Sequence, residues 1–404
     1  MADTRVTFSA NATYGHGGQG EFLRMMTLAL APKPGATVYS RFSPATRPRE
    51  VNLPFTGTLR STLFRGILAV PGLRARQDWL TLLSDLDFDA RVADDIDPPA
   101  LFDGVMAQCA TTTARLKRAH TRVIVTSLNT HITHLARTLE DEYRRVGARG
   151  PSFVSPRMVA RALREMAVAD HLRVNSNIAK ATYVDAGIDP SRVTTIHPGI
   201  DLDHFTPVPK TDDVFRVIAI ASIDPRKGIH DLLQAFEDAR LPNAELIIYG
   251  GTGDRWSKQL LERWRARLPN LSCRAVNVMS APMAETFGPA SVLVHAAVED
   301  GFGLVVPQAL AAGRPVIVTR TSGASELVAH GRNGFVVDAR SPAQITESLQ
   351  TLASDAGLWA SMCAASRPSV AHLSYDAFAR EVNAMYARVL GDAPSARAGV
   401  AERQ

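Results

Sequence analysis

Two polar side chains that could bind one polyhydroxylated ligand lie eight positions apart in the second half of the sequence. Asp300 and Gln308 flank the start of a helical pattern, and residues 301–304 (Gly-Phe-Gly-Leu) form a glycine turn after Asp300. The apolar residues 292–295 predict a strand just before this turn. Backbone N–H groups at a helix start can hold an anion or sugar hydroxyls. Asp300 and Gln308, about two helical turns apart, can face the same ligand. An ordinary strand–helix turn with a solvated acidic pair, Glu299 and Asp300, would also explain the glycines.

A basic turn follows another predicted strand. Residues 217–221 are apolar, and Arg226, Lys227 and Gly228 come shortly after them, ahead of a helical pattern at 229–236. Lys227 could act as a point charge beside a phosphate group. A solvated turn charge is the alternative for Lys227, and more so for Arg226.

Two further turns of this kind lie in the first half. Residues 14–20 (Tyr-Gly-His-Gly-Gly-Gln-Gly) separate a strand-like segment at 5–10 from a helical pattern at 22–30. His131 follows a predicted strand at 121–127 and opens a helix at 135–146, whereas His134 is more simply structural. Ser176 ends a predicted strand at 172–175, where packing or helix capping would explain it equally well.

Alternating strands and helices on both sides of a Pro- and Asp-rich passage near residue 208 predict two α/β units, each with a parallel sheet. We expect a first unit at 1–207, a second at 208–374, a terminal helix at 375–392 that crosses back to the first unit, and a disordered tail at 393–404. Ligands of such folds bind beyond the carboxyl ends of the strands. The turns described above would therefore meet in one cleft between the units.

The bulk composition is that of a globular protein. The 404 residues are 46% hydrophobic and 21% charged, with a net charge of +5 that favours anionic ligands or surfaces over nucleic acid. Three widely spaced cysteines do not suggest a disulfide framework or a zinc site, so we expect a cytoplasmic protein. Arg65, Arg74 and Arg76 lie among apolar residues. This segment could contact the inner face of a membrane peripherally, although an ordinary amphipathic face of a helix is the simpler interpretation.

Taken in order, these motifs resemble glycosyltransferase family 4, closely over residues 165–340 and weakly before residue 120. In that family an acidic residue, a Gly-Phe-Gly turn and a second acidic residue eight positions on contact a nucleotide-sugar donor, and a basic turn clamps the diphosphate. The resemblance implies a GT-B fold, two Rossmann-like domains with the active site in the cleft between them. Residues 198–201 (Pro-Gly-Ile-Asp) resemble the family's passage into its second domain.

The resemblance also implies the reaction. It is a retaining, metal-independent transfer of a sugar, most simply a hexose, from a nucleoside diphosphate sugar to a hydroxyl of a saccharide, lipid or small molecule. The nucleotide sugar would be a co-substrate, and no cofactor is implied. The residues assigned to catalysis are His131, Lys227, Glu299 and Asp300. The residues assigned to the donor are Gly18, Arg226, Lys227, Gly301, Phe302, Gly303, Leu304 and Gln308.

The sequence departs from the family pattern in two places, which keeps an alternative open. Gln308 replaces an acidic residue, and Ala221-Ser222 stand where a second arginine is usual. A degenerate module that binds a nucleotide sugar without turnover is therefore the second hypothesis. A nucleotide-sugar 2-epimerase would need several carboxylates at other positions. A dehydrogenase would need an acidic residue about 20 positions beyond its glycine loop, and residues 31–49 have none. Which of Glu299 and Asp300 faces the sugar stays open at this stage.

Overall fold

The computed structural model describes residues 5–43, 49–54, 77–148, 154–252, 254–274 and 283–391. Within these ranges the chain forms two parallel sheets, each in its own α/β unit, and the predicted fold class is confirmed. The predicted disordered tail at 393–404 lies outside the described residues. So does the segment with Arg65, Arg74 and Arg76.

The first unit has a seven-stranded parallel sheet in the order β3-β2-β1-β4-β5-β6-β7. Its strands are β1 (Val6–Ser9), β2 (Thr37–Ser40), β3 (Arg49–Asn52), β4 (Leu101–Val105), β5 (Arg122–Ser127), β6 (His171–Val174) and β7 (Val193–Thr195). Its helices are α1 (Gly17–Leu30), α2 (Gln77–Asp95), α3 (Ala110–Arg118), α4 (Ile132–Arg145), α5 (Pro156–Val168) and α6 (Asn177–Asp185). The central strands are buried, as expected for a parallel sheet covered by helices on both faces.

The second unit has a six-stranded parallel sheet in the order β10-β9-β8-β11-β12-β13. Its strands are β8 (Phe215–Ile220), β9 (Ala244–Tyr249), β10 (Leu271–Arg274), β11 (Val292–His295), β12 (Val316–Thr319) and β13 (Gly334–Val337). Its helices are α7 (Ile229–Ala239), α8 (Arg255–Arg267), α9 (Met283–Thr286), α10 (Val305–Ala311), α11 (Pro342–Ser354) and α12 (Ala356–Val370). In both sheets the strand order reverses beside the first strand of the unit, which is where α/β folds bind ligands.

The last helix, α13 (Tyr375–Gly391), packs in the first unit, not the second. Phe378, Val382 and Tyr386 are buried against α1 and β1. Tyr386 Oη donates a 2.7 Å hydrogen bond to Asp103 Oδ2 in the middle of the first sheet. The end of the described chain is thus part of the core that supports the first unit.

The chain passes between the units twice, and the two passages lie side by side. Ile196 belongs to the first core, whereas Ile200 and Phe205 are buried in the second. Ile200 N donates to Leu373 O at 2.7 Å, next to the point where the chain returns through Ser374. The chain therefore enters the second unit several residues before 207, the position expected from the Pro-rich composition of the next residues.

Candidate functional site

The turn after β11 brings the two units into contact at the carboxyl ends of their sheets. A Cβ atom on Gly301 would lie 2.2 Å from the Leu128 carbonyl oxygen, so only a glycine permits this approach. Ser176 caps α6 and also donates from Oγ to the Gly301 carbonyl at 2.8 Å. Both contacts join the turn to the first unit.

Asp300 lies at the centre of this turn and is held by two basic side chains. Lys227 Nζ lies 2.6 Å from Asp300 Oδ2, and His295 Nε2 lies 3.3 Å from the same oxygen. Phe302 N donates to Asp300 Oδ1 at 3.3 Å. Burial by itself would raise the pKa of Asp300. The nearby Lys227, His295 and Arg226 outweigh this effect and hold the pKa well below its usual range. The carboxylate is therefore ionised at neutral pH.

Glu299 makes a different set of contacts, across the interface between the units. Arg226 Nε donates to Glu299 Oε2 at 2.7 Å, and Arg226 Nη2 donates to Asn129 Oδ1 at 2.7 Å. Thr130 donates to Glu299 Oε1 from its hydroxyl at 2.8 Å and from its backbone N at 3.1 Å. Glu299 and Arg226 thus link the 299–301 turn, the 225–227 turn and the first unit.

The 225–227 turn is a short 3₁₀ helix that begins at a capping aspartate. Asp224 Oδ1 accepts from Arg226 N at 2.8 Å, and the turn ends at Gly228 in the left-handed conformation with φ +63°. A Cβ on Gly228 would lie 1.9 Å from the Ala296 carbonyl, so the glycine lets the turn pack against the end of β11. The turn thereby sets Lys227 opposite Asp300.

The glycine-rich residues 17–20 form the first turn of α1, not a loop before it. The helix begins at Gly17, five residues earlier than the apolar pattern suggested, and Gly15 and Gly17 have positive φ angles. Gly18 is exposed, whereas a Cβ on Gly20 would lie 2.1 Å from the Thr13 carbonyl. Gly18 therefore leaves backbone accessible at the helix start, and Gly20 permits the close packing beneath it.

His131 caps the start of α4, and the contacts of its ring lie within the first unit. Its Nδ1 lies 2.8 Å from Thr133 Oγ1, and its ring packs edge-on against Tyr183 with centroids 5.1 Å apart. Burial and the nearby His134 and Arg137 lower its pKa. The ring lines a cavity between α4, α5 and α6. Its neighbour Thr130 is the residue that reaches Glu299.

The remaining predicted donor residues are mostly enclosed. Gln308 lies on α10 with 4% of its surface exposed. The Phe302 ring is buried in the second core and packs against His197, with centroids 5.5 Å apart. Leu304 contacts the cores of both units. Gly303 has a φ of +86°, which places it in the left-handed region that favours glycine.

Several residues of the candidate site were not predicted from the sequence. Asn129 and Thr130 form hydrogen bonds with the charged turns of the second unit. Their position just after β5, at the carboxyl end of a strand, could have indicated this role. His295 ends β11 and faces Asp300. Tyr143 Oη, near the end of α4, donates to Asp224 Oδ2 at 3.2 Å.

The described part of the chain contains one cluster with the composition of a metal site, formed by Glu142, His230 and Asp231. Its carboxylates already carry guanidinium partners. Arg145 Nη2 lies 2.7 Å from Glu142 Oε1 and 2.8 Å from Asp231 Oδ2, and Arg340 Nε lies 2.6 Å from Glu142 Oε2. The cluster is therefore an ion-pair network that joins α4 to the second unit.

Comparison with known proteins agrees with this geometry. The sequence model of the family described as glycosyl transferases group 1 matches residues 203–367, which cover most of the second unit. The second unit is therefore similar to this family over the matched residues. The Lys227–Asp300 pair and the Glu299–Arg226 pair both lie inside residues 203–367.

Curated relatives carry glycosyltransferase names. The D-inositol 3-phosphate glycosyltransferase of Streptomyces avermitilis is 30% identical over 232 residues, which is 52% of this chain and 50% of the relative. The enzyme of the same name from Mycolicibacterium smegmatis is 27% identical over 292 residues, 65% of this chain and 62% of the relative. The chain thus spans about half the length of the first of these relatives.

Solved structures extend the likeness to both units. Sucrose-phosphate synthase from Thermosynechococcus elongatus has a TM-score of 0.71 at 18% identity, covering 96% of this chain and all of the other. Anabaena HepE, solved with UDP and glucose, has a TM-score of 0.68 at 16% identity and covers 95% and 99% of the two chains. These similarities establish the GT-B fold for the chain as a whole. Among the described helices, none combines the length and the apolar character needed to cross a membrane.

Proposed function

We propose that the protein is a retaining glycosyltransferase that moves a sugar from a nucleoside diphosphate sugar to a hydroxyl acceptor. The observation that carries the proposal is the Lys227–Asp300 pair, an ammonium and an ionised carboxylate 2.6 Å apart within the residues that match the glycosyl transferases group 1 family. A cation suits the leaving diphosphate, and a fixed carboxylate suits the hydroxyls of the transferred sugar. The UDP and UDP-glucose complexes of the structurally similar HepE support a donor of this class.

The structure supports Asp300, not Glu299, as the carboxylate that faces the sugar. Glu299 has 1% of its side chain exposed and accepts hydrogen bonds from Arg226 and Thr130. Asp300 and its partner Lys227 keep 12% and 22% of their side chains exposed. A ligand in the cleft can therefore reach the second pair without breaking the contact between the units.

In the proposed reaction the bond between the anomeric carbon and the β-phosphate oxygen breaks as the acceptor oxygen bonds to the same face of that carbon. The acceptor proton passes to the departing phosphate oxygen, so no enzyme base is required. Lys227 stabilises the negative charge that develops on the diphosphate, with Gly18 contributing from the first unit. Asp300 binds the sugar and stabilises the positive charge of an oxocarbenium-like transition state. Gln308 holds the ribose of the nucleotide. The described contacts of the His131 ring lie within the first unit, so we assign it no contact with the donor sugar.

The test is a panel of nucleoside diphosphate sugars, with UDP-glucose first, assayed for release of the nucleoside diphosphate in the presence of saccharide, lipid and small-molecule acceptors. Product anomers read by NMR should keep the donor configuration. A donor that binds but never turns over would instead identify the degenerate binding module. Failure to bind any nucleoside diphosphate would reject both functions.

Three finer proposals accompany this one. We propose that the transferred sugar is a hexose. We also propose that no metal takes part, because the Lys227 ammonium can neutralise the negative charge of the leaving diphosphate that a metal cation would otherwise neutralise. Turnover should then survive prolonged treatment with EDTA. We also propose that the protein acts in the cytoplasm, and peripheral contact with the inner face of a membrane is the alternative to an ordinary amphipathic face around Arg65, Arg74 and Arg76. Flotation with vesicles that contain anionic lipids tests this contact.

A further inference from the structure

His295 is the last residue of β11, and its imidazole is buried beneath the 299–303 turn with 5% of the residue exposed. Its Nε2 lies 3.3 Å from Asp300 Oδ2 but has no well-oriented hydrogen bond to any of the described residues. Gly303 closes over the ring, since a Cβ there would lie 2.8 Å from Nε2. The imidazole therefore has a fixed position, with Nε2 next to the carboxylate.

The Asp300 carboxylate depends mainly on Lys227. The 2.6 Å contact to Lys227 Nζ is the shortest of the three described contacts of this carboxylate, since those to His295 and Phe302 are both 3.3 Å. A diphosphate in the cleft would offer the Lys227 ammonium a second and stronger anionic partner. Asp300 would then lose part of its main support at the moment when the sugar requires a fixed carboxylate.

We propose that His295 is a positioning residue that takes over Asp300 Oδ2 when Lys227 turns to the donor diphosphate. This inference rests on the proposed function. It accounts for a buried ring nitrogen that lies 3.3 Å from Asp300 Oδ2 without a well-oriented hydrogen bond to the described residues. Because Gly303 holds the imidazole in place, His295 can bind the carboxylate without a rearrangement of its own. Asp300, and not His295, touches the sugar.

The alternative is that His295 only fills space at the end of β11. His295→Leu keeps a buried side chain of similar size and removes the N–H, whereas His295→Gln keeps an N–H donor near the position of Nε2. If His295 acts through Asp300, the Leu variant should lose about 10–10²-fold in kcat/KM for the nucleotide sugar, because small misplacements of a reacting group cost that much. The Gln variant should recover most of this loss.

Two further measurements separate positioning from folding. Affinity for the nucleoside diphosphate alone, measured by calorimetry with UDP or whichever nucleotide the donor panel identifies, should change by less than about two-fold in His295→Leu, because this ligand lacks the sugar that Asp300 binds. In an Asp300→Asn background, His295→Leu should cost little more, since the group it positions is already altered. His330→Leu, at an exposed turn, is the matched control for loss of a histidine.

Each outcome decides the proposal. Wild-type kinetics in His295→Leu, equal losses in the Leu and Gln variants, or independent losses from His295→Leu and Asp300→Asn would overturn it. A parallel loss of nucleoside diphosphate affinity would assign His295 a structural role. If the unmodified protein binds no nucleoside diphosphate at all, the proposed function itself has failed, and the positioning role fails with it.

Discussion

The adjacent carboxylates Glu299 and Asp300 each pair with one of two adjacent cations, yet the two pairs have different surroundings. The Glu299–Arg226 pair also contacts Asn129 and Thr130 of the first unit, and Glu299 is fully enclosed. The Asp300–Lys227 pair lies within the second unit and is partly open to the cleft. One pair therefore joins the units, whereas the other is available to a ligand. Membership in a motif does not by itself distinguish these roles, but the partners of each side chain do.

The first prediction concerns the enclosed pair. Arg226→Met should lower stability by as much as about 3–5 kcal/mol, because it leaves the Glu299 carboxylate buried without its cation. Opening of the cleft would relieve part of this cost by letting water reach Glu299. Lys227→Met should cost less than this, because the Lys227–Asp300 pair is less enclosed and His295 remains next to the carboxylate.

Thermal and urea denaturation of both variants measure the difference. The double variant Arg226→Met/Glu299→Gln is the matched control and should recover part of the loss, since it removes the unpaired charge. Equal destabilisation by Arg226→Met and Lys227→Met would show that the two pairs do not divide the roles as we infer.

The second prediction concerns catalysis by the open pair. Lys227→Ala should reduce turnover of the nucleotide sugar by about 10²–10³-fold with little effect on folding, because the lost charge acts on the diphosphate as it departs. Lys258→Ala, an exposed lysine on α8, is the matched control and should behave as wild type. Steady-state kinetics with the purified variants decide, and undiminished turnover in Lys227→Ala would end the assignment.

The third prediction concerns Gln308, whose buried side chain we expect at the ribose. Gln308→Ala should raise the donor KM about ten-fold and change kcat less, because a ribose contact is shared by the ground and transition states. Gln308→Glu should stay active, since the related motif carries an acidic residue there. A folded but inactive Glu variant would show that this position requires a neutral amide.

How far the sequence could predict these features depended on how local each one is. Strand β11 was predicted with its observed bounds because it is a short apolar run that ends just before turn residues. Strands β2 and β3 escaped because four-residue segments such as Thr37–Ser40 and Arg49–Asn52 have no clear apolar period. Strand β4 contains the buried Asp103, which interrupts its apolar pattern. The hydrogen-bond partners that allow its burial, Thr126 and Tyr386, come from other parts of the chain and cannot be identified from the strand itself.

The candidate site shows the same limit. The glycines at 301, 303 and 228 marked the turns correctly, because close packing and positive φ are local demands. Lys227 pairs with Asp300, and Arg226 pairs with Glu299. Which carboxylate binds which cation depends on how two turns that are distant in sequence face each other. His295 was missed for a similar reason, since a histidine at a strand end shows its role only when its neighbour across the turn is known.

The last prediction concerns domain motion, where the expected signal is smallest. The Pro- and Asp-rich passage near residue 208 would suggest a hinge there, but the side-by-side passages at Ile200 and Ser374 favour a hinge a few residues earlier. The two units contact each other through Glu299 and through Glu142 on α4. Burial by itself would raise the pKa of Glu142. Hydrogen bonds with His230 and Arg145 outweigh this effect and lower the pKa to about 2.

The sign of that shift sets the conditions of the test. A carboxylate whose pKa is lowered in the closed form stabilises that form above its ordinary pKa and loses the effect as the pH falls from about 4.5 towards 2. At neutral pH the contact is therefore fully present, and Glu142→Gln should weaken it while keeping the shape of the side chain. Closure of this kind would exclude water, which otherwise competes with the acceptor for the activated sugar.

Small-angle scattering can follow the motion. A compact chain of this length has a radius of gyration of roughly 22 Å, and domain closure should change this radius only slightly. A nucleoside diphosphate should reduce the radius, and Glu142→Gln should start from a larger radius and need more ligand to reach the same end point. Glu140→Gln, on the exposed face of the same helix, is the matched control. An unchanged radius at saturating ligand, with binding confirmed by calorimetry, would mean a rigid protein with a preformed cleft. The Glu142 network would then be a permanent part of the interface between the units, as the Glu299–Arg226 pair already is.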